Sequence, residues 1–317
     1  MSIIEKAASR IDRQRSNVVA VPVTPAPDEP VAATEAVVVL EATVAPTMVS
    51  PPDAATVPVS DIPSSPPSAA TPARLRTRQV DLDLAKMRDM GLVTAAGGRT
   101  TLLEEFRIIK RPLLNRAFGE RVPGGMPPNL IMITSSLPGE GKTYCAINLA
   151  MSIAMELDHT VLLVDADVAR PSVLRTLGLP AERGLMDILL DDKLDLSDVL
   201  LRTNVDTLSI LPAGTSTPRA TELLASSTMS TFVNEIANRY PDRVIIFDSP
   251  PLLLTTESRV LASHMGQIVV VVEAQTTTQH AVKEALHKLE GFQNVNLIYN
   301  KTRDIPGIEE TYDYHYG

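Results

Sequence analysis

Residues 130–143, Leu-Ile-Met-Ile-Thr-Ser-Ser-Leu-Pro-Gly-Glu-Gly-Lys-Thr, run from a short apolar strand into a glycine-bearing turn and then Lys-Thr. No other stretch of the chain limits the fold as tightly. Gly139 and Gly141 allow the backbone to curl so that successive N–H groups point at phosphate oxygens, and the helix that starts at Gly141 turns its positive end toward the same anion. Lys142 is placed to reach the β and γ phosphates of a nucleotide, and the Thr143 hydroxyl to hold Mg²⁺. The pattern differs from G-x-x-x-x-G-K-[ST] at one position, Ser136, where the first glycine would stand. Strand before and amphipathic run after (Ile147, Ala150, Ile153, Ala154, Leu157) supply the context the motif requires. The expected nucleotide contacts are Ser136, Pro138, Gly139, Glu140, Gly141, Lys142, Thr143 and Tyr144.

Past this loop, strand and helix patterns alternate as in a parallel α/β sheet. Strands are expected at 161–165, 207–211, 244–248, 267–273 and 295–300. Helices are expected at 141–156, 172–177, 185–190, 220–224, 227–239, 256–265 and 278–289. Near-continuous apolar runs such as Val244-Ile-Ile-Phe and Ile268-Val-Val-Val-Val suit strands covered on both faces. Ligands in such sheets bind off the carboxyl ends of the strands, and two strands end there in acids. One closes on Asp165-Ala-Asp167 and the other on Asp248-Ser-Pro-Pro. Mg²⁺ takes one or two carboxylates together with substrate phosphates, so Asp248 suits the metal, with Thr143. Either Asp165 or Asp167 suits a general base acting on an attacking hydroxyl or water. Each aspartate alone would also suit a helix N-cap; together with the phosphate loop they suit catalysis better.

The N-terminal quarter has a different character. Residues 1–16 place Ile3, Ile4, Ala7, Ala8 and Ile11 on one helical face, a short docking helix or a frayed end. Residues 17–75 are rich in Pro, Ala and Val, and are expected to form an extended, disordered linker. Helical spacing resumes over 79–91 with Gly91 as a C-cap, and again over 100–118 with an interruption near Pro112. The folded domain is expected over 76–302 and a flexible tail over 303–317. A net charge of −9 and a pI near 5.1 argue against a nucleic-acid partner. With a single cysteine, Cys145, no intrachain disulfide is available and a reducing, cytoplasmic setting fits. No apolar run approaches the length of a membrane span.

In order and spacing, Ser136-Leu-Pro-Gly-Glu-Gly-Lys-Thr, Leu-Val-Asp165-Ala-Asp167-Val-Ala-Arg-Pro and Ile-Phe-Asp248-Ser-Pro-Pro-Leu resemble the cytoplasmic domain of bacterial tyrosine autokinases. These are P-loop proteins of exopolysaccharide and capsule export. Leu211-Pro-Ala-Gly and Ala220-Thr-Glu-Leu-Leu match the same family. The Asp-Ala-Asp-Val-Ala-Arg-Pro variant and the Tyr-rich end resemble its exosortase-associated members. The resemblance implies a three-layer αβα P-loop NTPase fold with a mainly parallel central sheet, ATP and Mg²⁺ as cofactors, and Asp165 and Asp167 as the catalytic acidic pair. Asp165, Asp248 and Thr143 would serve the metal. Glu104, Arg107 and Lys110 would lie on the helix that packs subunits into a ring. A membrane chain-length regulator (a polysaccharide co-polymerase) would activate the enzyme from the inner membrane, and a tyrosine phosphatase would oppose it. The chain departs from the family at Lys110, where an Arg is expected, and at Ala169, where many relatives carry the Arg that here follows as Arg170.

Three of the six tyrosines, Tyr312, Tyr314 and Tyr316, fall in the last six residues beside Asp313 and after Glu309 and Glu310. A mobile polar tail can enter an active site, and phosphotyrosine adds about −1.5 to −2 charge that would repel neighbours in an oligomer. Tyr240 and Tyr299, by contrast, are expected to pack. The favoured activity is therefore autophosphorylation of the tail tyrosines in trans. One alternative is a partitioning or septum-positioning ATPase switch of the MinD or ParA type, whose signature lysine is replaced here by Leu137. Another is a nucleotide-bound scaffold without enzymatic activity.

Overall fold

The structure is a computed structural model that describes residues 78–302 except 96, 97, 99 and 122. The expected N-terminal helix, the linker and the tail tyrosines lie outside these residues. The described elements run, in chain order, β1 (Arg78–Val80), α1 (Leu84–Asp89), α2 (Thr101–Ala117), β2 (Leu130–Ser135), α3 (Lys142–Ala154), β3 (Thr160–Asp165), α4 (Val173–Thr176), α5 (Leu185–Leu190) and α6 (Leu196–Val199). They continue with β4 (Leu201–Thr203), β5 (Leu208–Leu211), α7 (Ala220–Leu224), α8 (Ser227–Arg239), β6 (Arg243–Asp248), α9 (Glu257–Ala262), β7 (Gln267–Glu273), α10 (Gln279–Lys288) and β8 (Val295–Asn300).

One eight-stranded sheet has the order β1-β4-β5-β3-β6-β2-β7-β8. All neighbouring pairs are parallel except β4 with β5. Alternate residues of the central strands enter two separate cores. Met132, Leu162, Val164, Phe247 and Val270 face α5, α7, α8 and α9. Ile131, Ile133, Leu163, Ile246 and Val271 face α2 and α3. A three-layer αβα arrangement follows from central strands whose consecutive apolar residues point to both pleat faces, since both faces need a cover.

Register places the chemistry. Asp165 at the end of β3 lies opposite Asp248 at the end of β6, and Asp248 pairs across to Ile133 of β2, the strand that feeds the phosphate loop. The segment after β6 is laced to β2, with Ser249 Oγ donating to Ile133 O at 2.9 Å and Thr134 Oγ1 donating to Pro250 O at 2.8 Å.

Several expectations need correction. The helix expected over 79–91 is instead β1 followed by α1, because residues 78–80 pair with β4 and Asp83 caps a new helix by accepting from Lys86 N. The helix over 101–117 is not interrupted at Pro112. Pro112 and Ile108, whose carbonyl loses its partner there, both face solvent, where water can satisfy the group, while Leu103, Phe106 and Leu113 anchor the other side. Tyr299 is 67% exposed and Tyr240 is 40% exposed, so neither is a core residue. Tyr299 sits on the open face of edge strand β8, and the Tyr240 ring carries the Arg243 guanidinium. Leu157 falls beyond the end of α3 and is 98% exposed. The strands β1 and β4, three residues each, escaped the sequence patterns.

Candidate active site

The phosphate loop leaves β2 at Ser135 and enters α3 through Gly141, whose φ of +97° is open to glycine but strained for other residues. A Cβ at Gly141 would also overlap the Asn300 amide. The loop is held from several sides. Asn300 Nδ2 donates to Glu140 O at 2.8 Å, and Lys301 Nζ donates to Gly139 O at 2.7 Å. The buried Glu140 carboxylate accepts from Leu137 N at 2.6 Å and from the Thr277 hydroxyl. Tyr144 lies on the first turn of α3, its hydroxyl donating to Gly91 O at 2.6 Å; burial raises its pKa. The sequence reading missed Asn300, Lys301 and Thr277, although Asn300 and Lys301 stand at the carboxyl end of β8, where ligand contacts belong.

Lys142, Thr143, Asp165, Asp167 and Asp248 converge. Lys142 Nζ stands 2.7 Å from Asp167 Oδ2 and 3.8 Å from Asp248 Oδ1. Thr143 Oγ1 donates to Asp248 Oδ2 at 2.6 Å and lies 2.8 Å from Ser172 Oγ. Because Thr143 has one hydroxyl proton, already given to Asp248, the Ser172 hydroxyl must donate to Thr143. Asp165 Oδ2 accepts from Ser172 N and Val173 N, both at 2.9 Å, and so fixes the start of α4. Asp167 accepts from Arg170 N, while the Arg170 side chain points to solvent.

The electrostatics favour a cation and an anion together. Three buried carboxylates face one ammonium. Burial opposes the charge on Lys142, but Asp248 and then Asp167 outweigh it and hold the amine above its usual pKa. Burial pushes Asp248 up to about 7 against the pull of Lys142. It also pushes Asp165 up to about 6, against the hydrogen bonds from Val173 and Ser172. Asp165 Oδ1, Asp248 Oδ1 and Ser136 Oγ are buried without hydrogen-bond partners, a state that calls for a ligand or ion. Among the described residues no group of three or more His, Cys, Asp or Glu forms a metal cage. The oxygen donors Thr143, Asp165 and Asp248 are of the kind that hold a hard divalent cation together with phosphate oxygens and water. Cys145, one residue beyond Tyr144, is buried, and that burial pushes its thiol up to about 12.

The expected surface row on α2 divides in two. Glu104 and Arg107 are solvent-facing and paired at 2.5 Å. Lys110 instead turns inward, donating to Ser152 O at 2.6 Å and pairing with Glu156 at 2.5 Å, where it offsets the negative end of α3. Lys110 is thus buried within its own chain, unlike Glu104 and Arg107.

Fold and site together define a P-loop nucleotide-binding protein. The AAA domain model matches residues 129–302. Tyrosine-protein kinase CpsD of Streptococcus agalactiae is 30% identical over 183 residues, covering 57% of this chain and 78% of CpsD. Putative tyrosine-protein kinase CapB of Staphylococcus aureus is 28% identical over 222 residues, covering 69% of this chain and 92% of CapB. The crystal structure of the VpsO kinase domain superposes with a TM-score of 0.54 at 29% identity, over 63% of this chain and 96% of that domain. The chain belongs to the AAA-domain family and, within it, to the bacterial tyrosine-protein kinases.

Proposed function

We propose that the protein is an ATP-dependent autokinase that phosphorylates Tyr312, Tyr314 and Tyr316 in trans within an oligomer. The observation that carries this reading is the convergence of Lys142, Thr143, Asp165, Asp167 and Asp248 at the ends of three adjacent strands. Phosphate oxygens of ATP replace Asp167 and Asp248 as partners of Lys142, and loop N–H groups take the remaining oxygens. Thr143, Asp165 and Asp248 would hold Mg²⁺ together with the phosphates, and the ion would supply positive charge against the negative charge of the transferring phosphoryl group. The phenol oxygen bonds to the γ phosphorus as the bond from that phosphorus to the β–γ bridging oxygen breaks. ADP leaves, and the phenolic proton passes to Asp165 or Asp167.

Tyr312 stands ten residues beyond Thr302, up to about 35 Å of extended chain, enough to reach a site on a neighbouring copy. Glu104 and Arg107 on α2 are proposed to contact that copy. As implied by the resemblance, the oligomer would control exopolysaccharide polymerisation at the inner membrane with a chain-length regulator as activator and a tyrosine phosphatase as antagonist. No described helix is long and apolar enough to cross a membrane; attachment through such a partner is part of the same reading.

Incubation of the purified chain with Mg-ATP, followed by phosphosite mapping by mass spectrometry, tests the reading. Phosphate on the tail tyrosines is expected. ATP hydrolysis with no phosphotyrosine in the tail would replace the kinase with an ATPase switch.

A further inference from the structure

On the sheet face that α5, α7, α8 and α9 cover, a groove of about 610 Å³ runs between α9 and α10. None of its lining residues belongs to the phosphate site. Leu252, Leu253, Val260 and Phe292 make its floor, and Leu254 at its lip is 59% exposed. Leu253, Val260 and Phe292 pack on the core beneath yet stay half-buried, so the floor is an apolar surface that the described residues leave uncovered. The volume is that of a site for a drug-sized ligand, enough for more than one side chain.

The groove is preformed. Leu252 N donates to Ser135 O at 2.8 Å and Leu253 N to Ser136 O at 3.3 Å, which ties the floor to the end of β2. Phe292 N donates to Leu289 O at 3.1 Å, and His264 Nε2 donates to Leu224 O at 3.1 Å.

Its rim is positive on a chain whose net charge is −9. Arg259 on α9 and Lys288 at the end of α10 are exposed and form no ion pair with any described residue. The acids on and beside these helices are engaged elsewhere. Glu257 accepts from the Thr221 hydroxyl at 2.9 Å, while Glu284 and Glu290 pair with His280 and His287.

Such a groove suits a segment that carries apolar rings and carboxylates together. Residues 303–317 hold Tyr312, Tyr314 and Tyr316 among Asp304, Glu309, Glu310 and Asp313, against a single arginine, Arg303. They follow β8, the strand that α10 leads into. The ten residues from Thr302 to Tyr312 span up to about 35 Å when extended, more than twice the roughly 15 Å length of α10. Residues 1–16 suit the rim less well, with Lys6, Arg10, Arg13 and Arg15 against Glu5 and Asp12. The stretch 17–75 has no aromatic side chain and joins at β1, the opposite edge of the sheet, where a longer tether lowers its effective concentration at the groove.

We propose that the groove between α9 and α10 is a dock for the chain's own segment 303–317: tyrosine rings lie on the leucine and Phe292 floor, and the flanking carboxylates meet Arg259 and Lys288. Docking in cis competes with delivery of the same tyrosines to a neighbouring copy, a consequence that rests on the autokinase reading above; the docking itself needs no ATP.

The test uses the full chain without ATP, with photo-reactive p-benzoylphenylalanine in place of Tyr314, as a mixture of light and isotopically heavy copies. Cross-links within one copy to residues 252–264 and 288–292 are expected. Arg259→Glu with Lys288→Glu is expected to cut their yield about fivefold or more, and adding Glu309→Lys, Glu310→Lys and Asp313→Lys to that pair is expected to restore it. Rescue by charge exchange separates lost docking from lost folding. Cross-links confined to other regions, cross-links only between light and heavy copies, or a yield that ignores the charge reversal would overturn the dock. With Tyr314 restored and Mg-ATP present, Arg259→Glu with Lys288→Glu is expected to raise the initial rate of tail phosphorylation about threefold; a rate that stays or falls would overturn the competition. Absence of tail phosphorylation in the wild type would overturn the autokinase reading, while the cross-links still decide the dock.

Discussion

Lys142 Nζ sits 2.7 Å from Asp167 Oδ2, a buried ion pair at the place where phosphate is proposed to bind. The lysine is thus held ready in a pairing that the ligand has to exchange. Lys142→Met is expected to abolish tyrosine phosphorylation. It should also lower stability, because Asp167 and Asp248 lose their counter-charge, and breaking a buried pair from one side costs about 3–5 kcal/mol. Phosphosite mapping and thermal melts check the two effects; retained activity would remove Lys142 from the phosphate site.

Stability of the metal-free protein should depend on pH through Asp248 and Asp165. Burial raises both carboxyls, to about 7 and about 6, above their unfolded range. Between roughly pH 4 and pH 7 the folded state therefore binds more protons than the unfolded chain, and stability falls as pH rises. In chelator, the melting temperature should be higher near pH 5 than near pH 8, and Asp248→Asn should flatten much of that slope. At about 2–4 °C per kcal/mol for a domain of this size, the difference is within reach of ordinary melts. An unchanged slope in Asp248→Asn would mean that this carboxyl is already ionised in the folded state.

Gly141→Ala is expected to reduce nucleotide affinity and to destabilise the domain by about 1–2 kcal/mol for the left-handed backbone alone, with a further loss from overlap with Asn300. Pairing it with Asn300→Gly should relieve the overlap but not the backbone strain. Nucleotide titration of the single and double variants separates the two contributions. Equal affinity in Gly141→Ala and the wild type would contradict the loop geometry.

Lys110 and Arg107 should behave differently although they lie one turn apart. Lys110→Met removes a buried amine from Ser152 O and strands Glu156, and is expected to destabilise the domain by about 1.5–3 kcal/mol without changing its oligomeric state. Arg107→Glu, on the exposed side, is expected to weaken self-association with little change in melting temperature. Light scattering coupled to size exclusion distinguishes them, and the opposite pattern would place Lys110 at the interface.

Much of this was legible along the chain because it is locally encoded. Apolar runs of four or five residues announce buried strands, and Gly139, Gly141, Lys142 and Thr143 stand together in one short stretch. Asp165 and Asp248 were recognisable because each closes such a run. The edge strands β1 and β4 were not, since three residues carry too little pattern. Pro112 misled because its effect depends on whether the freed carbonyl meets water, which here it does.

The sequence by itself determined the phosphate loop, the alternating strands and helices, the two acidic strand ends and the acidic tyrosine tail, all properties of neighbours along the chain. Only the tertiary structure decided that Lys142 pairs with Asp167 and that Lys110 turns inward while Arg107 stays out. Pairing, desolvation and cavity shape arise between residues far apart in sequence, and their energies depend on what surrounds each group rather than on what precedes or follows it.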